Sequence, residues 1–176
     1  MVLANGSLSS QNGGEGEIRR RIVEDDLVEG IVAMPAQLFY TTQIPVSLWF
    51  LNRNKPQKEK TLFVDARKMG KLVSRRLREM TDEDISKISA AFDAFDAGTL
   101  ENVKGFYAVA STDEIAKQDF ILTPGRYVGI EKKEDDGEPF DEKMARLTSE
   151  LSELFKRSHE LENEIRKKLG AIGYDI

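Results

Sequence analysis

Three stretches of this chain have residue types and spacing that could do chemistry. The first is an aromatic loop, Pro35-Ala36-Gln37-Leu38-Phe39-Tyr40-Thr41-Thr42-Gln43-Ile44-Pro45. Neighbouring rings at the end of a sheet can stack on a nucleobase, because every base offers a π-face. They can equally plug the end of the sheet, and spacing alone leaves both readings open. The second stretch is basic. From Arg53 to Arg78 ten Lys/Arg face only Glu59 and Asp65, a local charge of +8. Within it Arg53, Lys55, Arg67, Lys68, Lys71, Arg75 and Arg76 could each neutralise a DNA phosphate and release a counterion; the bland alternative is a solvated loop and helix face. The third is Gly13-Gly14-Glu15-Gly16, ahead of a helical pattern. Its spacing fits neither phosphate-binding fingerprint, so a flexible turn into a helix is the simpler reading.

Other chemistries are excluded by composition. The 176 residues include no Cys and a single His, His159. No Cys nucleophile, disulfide framework or thiolate metal site is available, and no metal site is expected. His159 stands without a second His nearby and reads as a solvated helix residue. The net charge of −5 leaves −13 outside the basic stretch, which argues against an autonomous nucleic-acid binder. No apolar run approaches the roughly 20 residues of a membrane span. The polar, Gly/Ser-rich residues 1–16 lack the basic and apolar regions of a signal peptide. These features predict a cytoplasmic protein with no membrane contact.

The elements that must position these residues follow from periodicity. Met1-Val2-Leu3-Ala4 reads as the end of a strand closed by Asn5-Gly6. Glu17 to Asp25 reads as a helix, with Ile18, Ile22 and Val23 at helical spacing. Strands are expected at 28–34, 44–51 and 62–64. Strand, helix and strand in this order suggest a βαβ unit and a parallel sheet. Strands 28–34 and 44–51 are too close in sequence for a crossover helix, so they should be antiparallel neighbours. Thr81-Asp82-Glu83-Asp84 looks like a capping box, followed by Ile85, Ile88, Phe92 and Phe95 along one helical face and Gly98 at its end. Thr112 could cap another short helix.

Residues 132–139 form a charged linker, and beyond it the pattern changes. Met144, Leu147, Leu151, Leu154, Leu161 and Ile165 occupy a and d heptad positions, interrupted by Ser158. Four heptads of such a seam predict a coiled-coil-like helix of roughly 43 Å that needs a partner. The expected organisation is an α/β body over 1–131, the linker, and a helical interaction segment over 140–176.

From this loop outward the sequence resembles a known family. Val2-Leu3-Ala4-Asn5-Gly6, Glu15-Gly16-Glu17-Ile18-Arg19-Arg20, Leu27 to Pro35 and Leu38 to Val46 closely resemble the modification subunit of type I restriction–modification systems. Leu62-Phe63-Val64-Asp65-Ala66-Arg67 and Leu122-Thr123-Pro124-Gly125-Arg126-Tyr127-Val128 fit the same pattern downstream. Members of that family are adenine-N6 DNA methyltransferases that use S-adenosylmethionine. The resemblance implies the C-terminal part of a Rossmann-like methyltransferase sheet, entered at its fifth strand, with an antiparallel seventh strand. It implies that Phe39, with Tyr40 as runner-up, stacks on the flipped target adenine, and that the basic stretch meets DNA.

The family's Gly-rich cofactor motif and Asn/Asp-Pro-Pro-Tyr/Phe catalytic motif are not recognisable. The five prolines, at 35, 45, 56, 124 and 139, include no adjacent pair. Both motifs are expected upstream of Met1. The chain is therefore expected to be a C-terminal portion, without catalytic residues of its own, inactive alone and binding no cofactor, while the full-length subunit uses S-adenosylmethionine. Its expected partners are the specificity subunit, through the heptad helix, the restriction subunit, and DNA in the assembled complex. Two alternatives are a stand-alone module that homodimerises through the helix and the C-terminal half of a split methyltransferase.

Overall fold

The computed structural model describes residues 1–130 and 139–174. The chain divides into two compact units, Met1–Lys132 and Lys133–Ile176. Most of the expected linker lies outside the described residues.

The first unit is built on a five-stranded mixed sheet. Its strands are β1 (Val2–Ala4), β2 (Val28–Ala33), β3 (Val46–Leu51), β4 (Lys60–Asp65) and β7 (Tyr107–Ser111), in the order β1-β3-β2-β4-β7. β3 runs antiparallel to both β1 and β2, as the short 28–34 to 44–51 connection requires. β1 and β2 therefore point the same way across β3, joined by helix α1 (Glu15–Glu24). β4 lies parallel to β2, and β7 antiparallel to β4. The expected βαβ unit is present, but the sheet is mixed rather than parallel. β7 is not evident from local pattern, because its pairing partner lies more than forty residues upstream.

Alternation on the strands feeds two cores, one on each face of the sheet. Ile31 and Phe63 point to one face with Leu8, Val23, Trp49, Ile115 and Leu122. Val32, Leu62 and Val64 point to the other, with Met34, Ala66 and Phe95. On the first face Phe63 stacks on Tyr127, ring centroids 3.9 Å apart. Burial pushes the Tyr127 hydroxyl up to about 12. On the second lies helix α2 (Asp82–Asp96). Its capping box forms as expected: the Asp84 N–H donates to Thr81 Oγ1 at 3.1 Å, and the Thr81 N–H to Asp84 Oδ2 at 3.0 Å. A Cβ on Gly30 would stand 2.7 Å from the Phe92 ring, so a larger residue here would force that ring to shift.

Two local expectations are revised. Helix α1 turns Arg19 inward with Val23, while Ile18 is exposed. The Arg19 Nε donates to Phe120 O at 2.7 Å, and Nη1 to Ser10 O at 2.8 Å. Those carbonyl partners make an arginine tolerable where hydropathy calls for an isoleucine. Short helix α3 (Thr112–Ala116) is capped by Ser111, not Thr112, through a box with Glu114.

Among its described residues the second unit has one helix, α4 (Phe140–Ala171), 32 residues long. None of its described residues is buried. Met144, Leu147, Leu151, Leu154, Leu161 and Ile165 are all exposed along it. Pairs at i,i+4, such as Arg146–Glu150 and Glu162–Arg166, support it locally.

Candidate nucleic-acid interface

The aromatic loop leaves the sheet where β2 ends and returns where β3 begins. Met34 and Pro35 are buried at its root, and the Met34 N–H donates to Val46 O at 2.9 Å. Leu38 packs against the second core and anchors the loop from beneath. Phe39 and Tyr40 are not part of that anchor: they are 40 % and 89 % exposed. The plug of the sheet end is thus Leu38, and the two rings after it face outward.

Strand direction decides which cations join them. β4 is parallel to β2, with Ala33 opposite Asp65, so the chain leaves β4 at the same end of the sheet as the loop. Arg67, Lys68 and the two-stranded hairpin of β5 (Lys71–Leu72) and β6 (Arg78–Glu79) follow there. Lys71, Arg75 and Arg76 are exposed on that hairpin. Arg67 grips Asp65 with two bonds, Nε to Oδ1 at 2.8 Å and Nη2 to Oδ2 at 2.6 Å. Burial alone would raise the Asp65 carboxyl; the Arg67 hydrogen bonds, with help from the Arg67 and Lys68 charges, outweigh it and hold the group below the usual carboxylate range. Arg67 keeps half of its side chain open to solvent. Lys68 is exposed as well.

Arg53 and Lys55 belong elsewhere. They follow β3, which runs back from the loop, so they sit at the opposite end of the sheet, a strand length of about 20 Å away. Arg53 is exposed there. Lys55 is buried and ion-paired with Asp26, which also accepts from the Glu59 N–H at 3.0 Å. Counting the seven cations as one surface is corrected on this point: five gather beside the aromatic loop and two do not.

Gln37 lies in the aromatic loop and Arg78 in the basic stretch, but the sequence singled out neither as a link between the two. Gln37 has a left-handed φ of +69°, and its carbonyl accepts from the Arg78 N–H at 2.8 Å. Its side-chain Nε2 donates to Arg75 O at 3.2 Å. The Arg78 guanidinium donates to Met69 O and Gly70 O at the hairpin's base. A polar residue inside a polar loop gives no local signal of such a role.

The remaining candidates carry less. Gly13 and Gly14 take φ of +57° and +83°, which accounts for glycine at both positions. Glu15 and Glu17 occupy the first turn of α1, placing negative charge where an anion would bind. Their charge opposes binding of a phosphate at this helix end. His159 is exposed on α4, 3.7 Å from Glu162. Among the described residues no group of three His, Cys, Asp or Glu could hold a metal ion, and no helix is long and apolar enough to cross a membrane.

Comparison with known proteins agrees with the sequence resemblance. Residues 1–136 match the model of the N-6 DNA methylase family. The type I restriction enzyme HindI methylase subunit of Haemophilus influenzae is 51 % identical over 176 residues, covering 99 % of this chain and 40 % of its own length. The MjaIX methylase subunit of Methanocaldococcus jannaschii is 48 % identical, over 98 % of this chain and 32 % of its own length. This chain thus spans well under half of the curated relatives it matches. The crystal structure of a type I restriction-modification methyltransferase subunit from Streptococcus thermophilus superposes with a TM-score of 0.63 at 31 % identity, covering 72 % of this chain and 25 % of the other. The EcoKI M protein shares the fold at a TM-score of 0.52 and 19 % identity, over 98 % of this chain and 43 % of that one. A family match over most of the chain, joined to alignment of nearly all of it with methylase subunits, places this protein in the N-6 DNA methylase family.

Proposed function

We propose that this chain is the C-terminal portion of a type I modification subunit, working in the cytoplasm as the target-base and assembly end of an adenine-N6 DNA methyltransferase. The observation that carries this reading is the convergence of Phe39, Tyr40, Arg67, Lys68, Lys71, Arg75 and Arg76 at one end of the sheet. An enzyme that methylates a base amino group must take the base out of the stack, and an exposed ring beside backbone-binding cations suits that task. Phe39 or Tyr40 stacks on the extruded adenine, and the cations hold the flanking phosphates. The order β1-β3-β2 with an antiparallel β3 fits the closing strands of a Rossmann-like methyltransferase sheet. S-adenosylmethionine serves the full-length subunit and is held by residues outside this chain.

Helix α4, with its apolar positions exposed, docks the specificity subunit as a coiled-coil partner; the restriction subunit joins the assembled complex. The same exposed seam favours a second reading, in which two copies pair through α4. Light scattering separates them: a monomer at high concentration refutes the homodimer. Leu154→Asp with Leu161→Asp should abolish association of either kind.

Calorimetric titration of S-adenosylmethionine into the purified chain tests the assignment. No heat is expected. Saturable micromolar binding, or methyl transfer to DNA by the chain alone, would overturn it.

A further inference from the structure

The β5–β6 hairpin has strands of only two residues, too short to be stable alone. Its tip is closed by Ser74, whose Oγ accepts from the Leu77 N–H at 3.1 Å. Its base is held by the Arg78 guanidinium and by Asp84, which accepts from the Gly70 N–H at 3.1 Å. Its tip and its returning strand are joined to a different element, the aromatic loop, through both polar ends of Gln37. The carbonyl takes the Arg78 N–H, and the side-chain amide donates to the Arg75 carbonyl. Gln37 makes both bonds from a left-handed backbone, with φ at +69°. Three residues along the chain stands Tyr40, the most exposed ring of the loop.

We propose that Gln37 is a positioning residue that yokes the basic hairpin to the aromatic loop, so that grip on the DNA backbone by Arg75 and Arg76 and stacking of the extruded base on Phe39 or Tyr40 occur as one event. This deepens the reading of the loop given above and rests on it. A base loop free to move independently would lose stacking free energy to its own ordering on every encounter. A loop bonded to the hairpin is ordered by the same contacts that hold the phosphates.

The test uses the purified chain and a labelled duplex carrying 2-aminopurine opposite an abasic site, a base that leaves the stack readily. Anisotropy reads affinity, and quenching of 2-aminopurine at saturation reads stacking. Tyr40→Ala with Phe39→Ala should weaken binding several-fold and lose quenching. Arg75→Ala with Arg76→Ala should weaken binding about tenfold or more at low salt. With Gln37 present, the affinity losses from the two pairs should be non-additive in a double-mutant cycle. Gln37→Ala removes the side-chain donor but keeps the backbone bond to Arg78. It should leave the thermal melt and the affinity within about twofold, cut quenching by about half or more, and make the cycle additive. Gln37→Lys, which restores a donor toward the Arg75 carbonyl, should restore quenching. Unchanged quenching and unchanged coupling in Gln37→Ala would overturn the yoke and leave the base-loop reading standing. Quenching indifferent to Phe39 and Tyr40, or no binding at low salt, would overturn the base-loop reading and the yoke with it.

Discussion

The two ends of the sheet use the same residue types to opposite purposes. At the end where β2 and β4 finish, cations stand in solvent beside exposed rings, and the charged pair Arg67–Asp65 is half open. At the end where β3 finishes, Lys55 is withdrawn from solvent and spent on Asp26. Both ends draw on one run of basic sequence. The comparison teaches that a charge run becomes a surface only where strand direction delivers it; elsewhere the same side chain is a structural tie.

Four variants test how far this contrast holds. Lys55→Ala leaves the Asp26 carboxylate without its cation and should cost about 2–3 kcal/mol in urea unfolding, with no effect on DNA affinity. A loss under about 0.5 kcal/mol would place Lys55 with the solvated cations after all. Asp65→Asn should cost about 1 kcal/mol at neutral pH, since its partner Arg67 is half exposed and screened. The Asp65 carboxyl is held below its ordinary value in the fold, so its contribution is complete above the unfolded value of about 3.9 and lost as pH falls through the folded value. The difference between Asp65→Asn and the parent protein should therefore shrink in melts taken below about pH 4; a constant difference at all pH values would mean the carboxylate charge does not matter there. Arg75→Ala with Arg76→Ala should leave stability within about 0.5 kcal/mol and lower the salt slope of DNA binding by about two. Arg53→Ala should change neither quantity. An equal drop in salt slope for Arg53→Ala would join the two ends into one interface and dissolve the contrast.

What could be read in the sequence was whatever depends on near neighbours. The capping box at Thr81 and Asp84 is a three-residue pattern, and it forms. The antiparallel pairing of β2 and β3 follows from a connection too short for a crossover, and it is present. The heptad spacing from Met144 to Ile165 announces a long helix, and α4 is one. The family resemblance was legible because its motifs run in order along the chain. Hydropathy misled at α1, where it chose Ile18 for the core; three carbonyls contributed by Ser7, Ser10 and Phe120 bring Arg19 inside instead.

The candidate site was legible as a set of residue types and not as a place. Nothing near Arg53 or Lys55 in sequence separates them from Lys71 or Arg75. Their separation follows from β3 running against β2 while β4 runs with it. Gln37 is one polar residue among several, and its bonds reach Arg75 and Arg78, about forty positions away. By itself the sequence determined most of the elements, the cap at Thr81 and the family, because those rest on local sterics, periodicity and ordered motifs. Tertiary structure alone decided which cations share a face with Phe39 and Tyr40, because strand direction and hydrogen bonds between distant segments assign each side chain its end of the sheet.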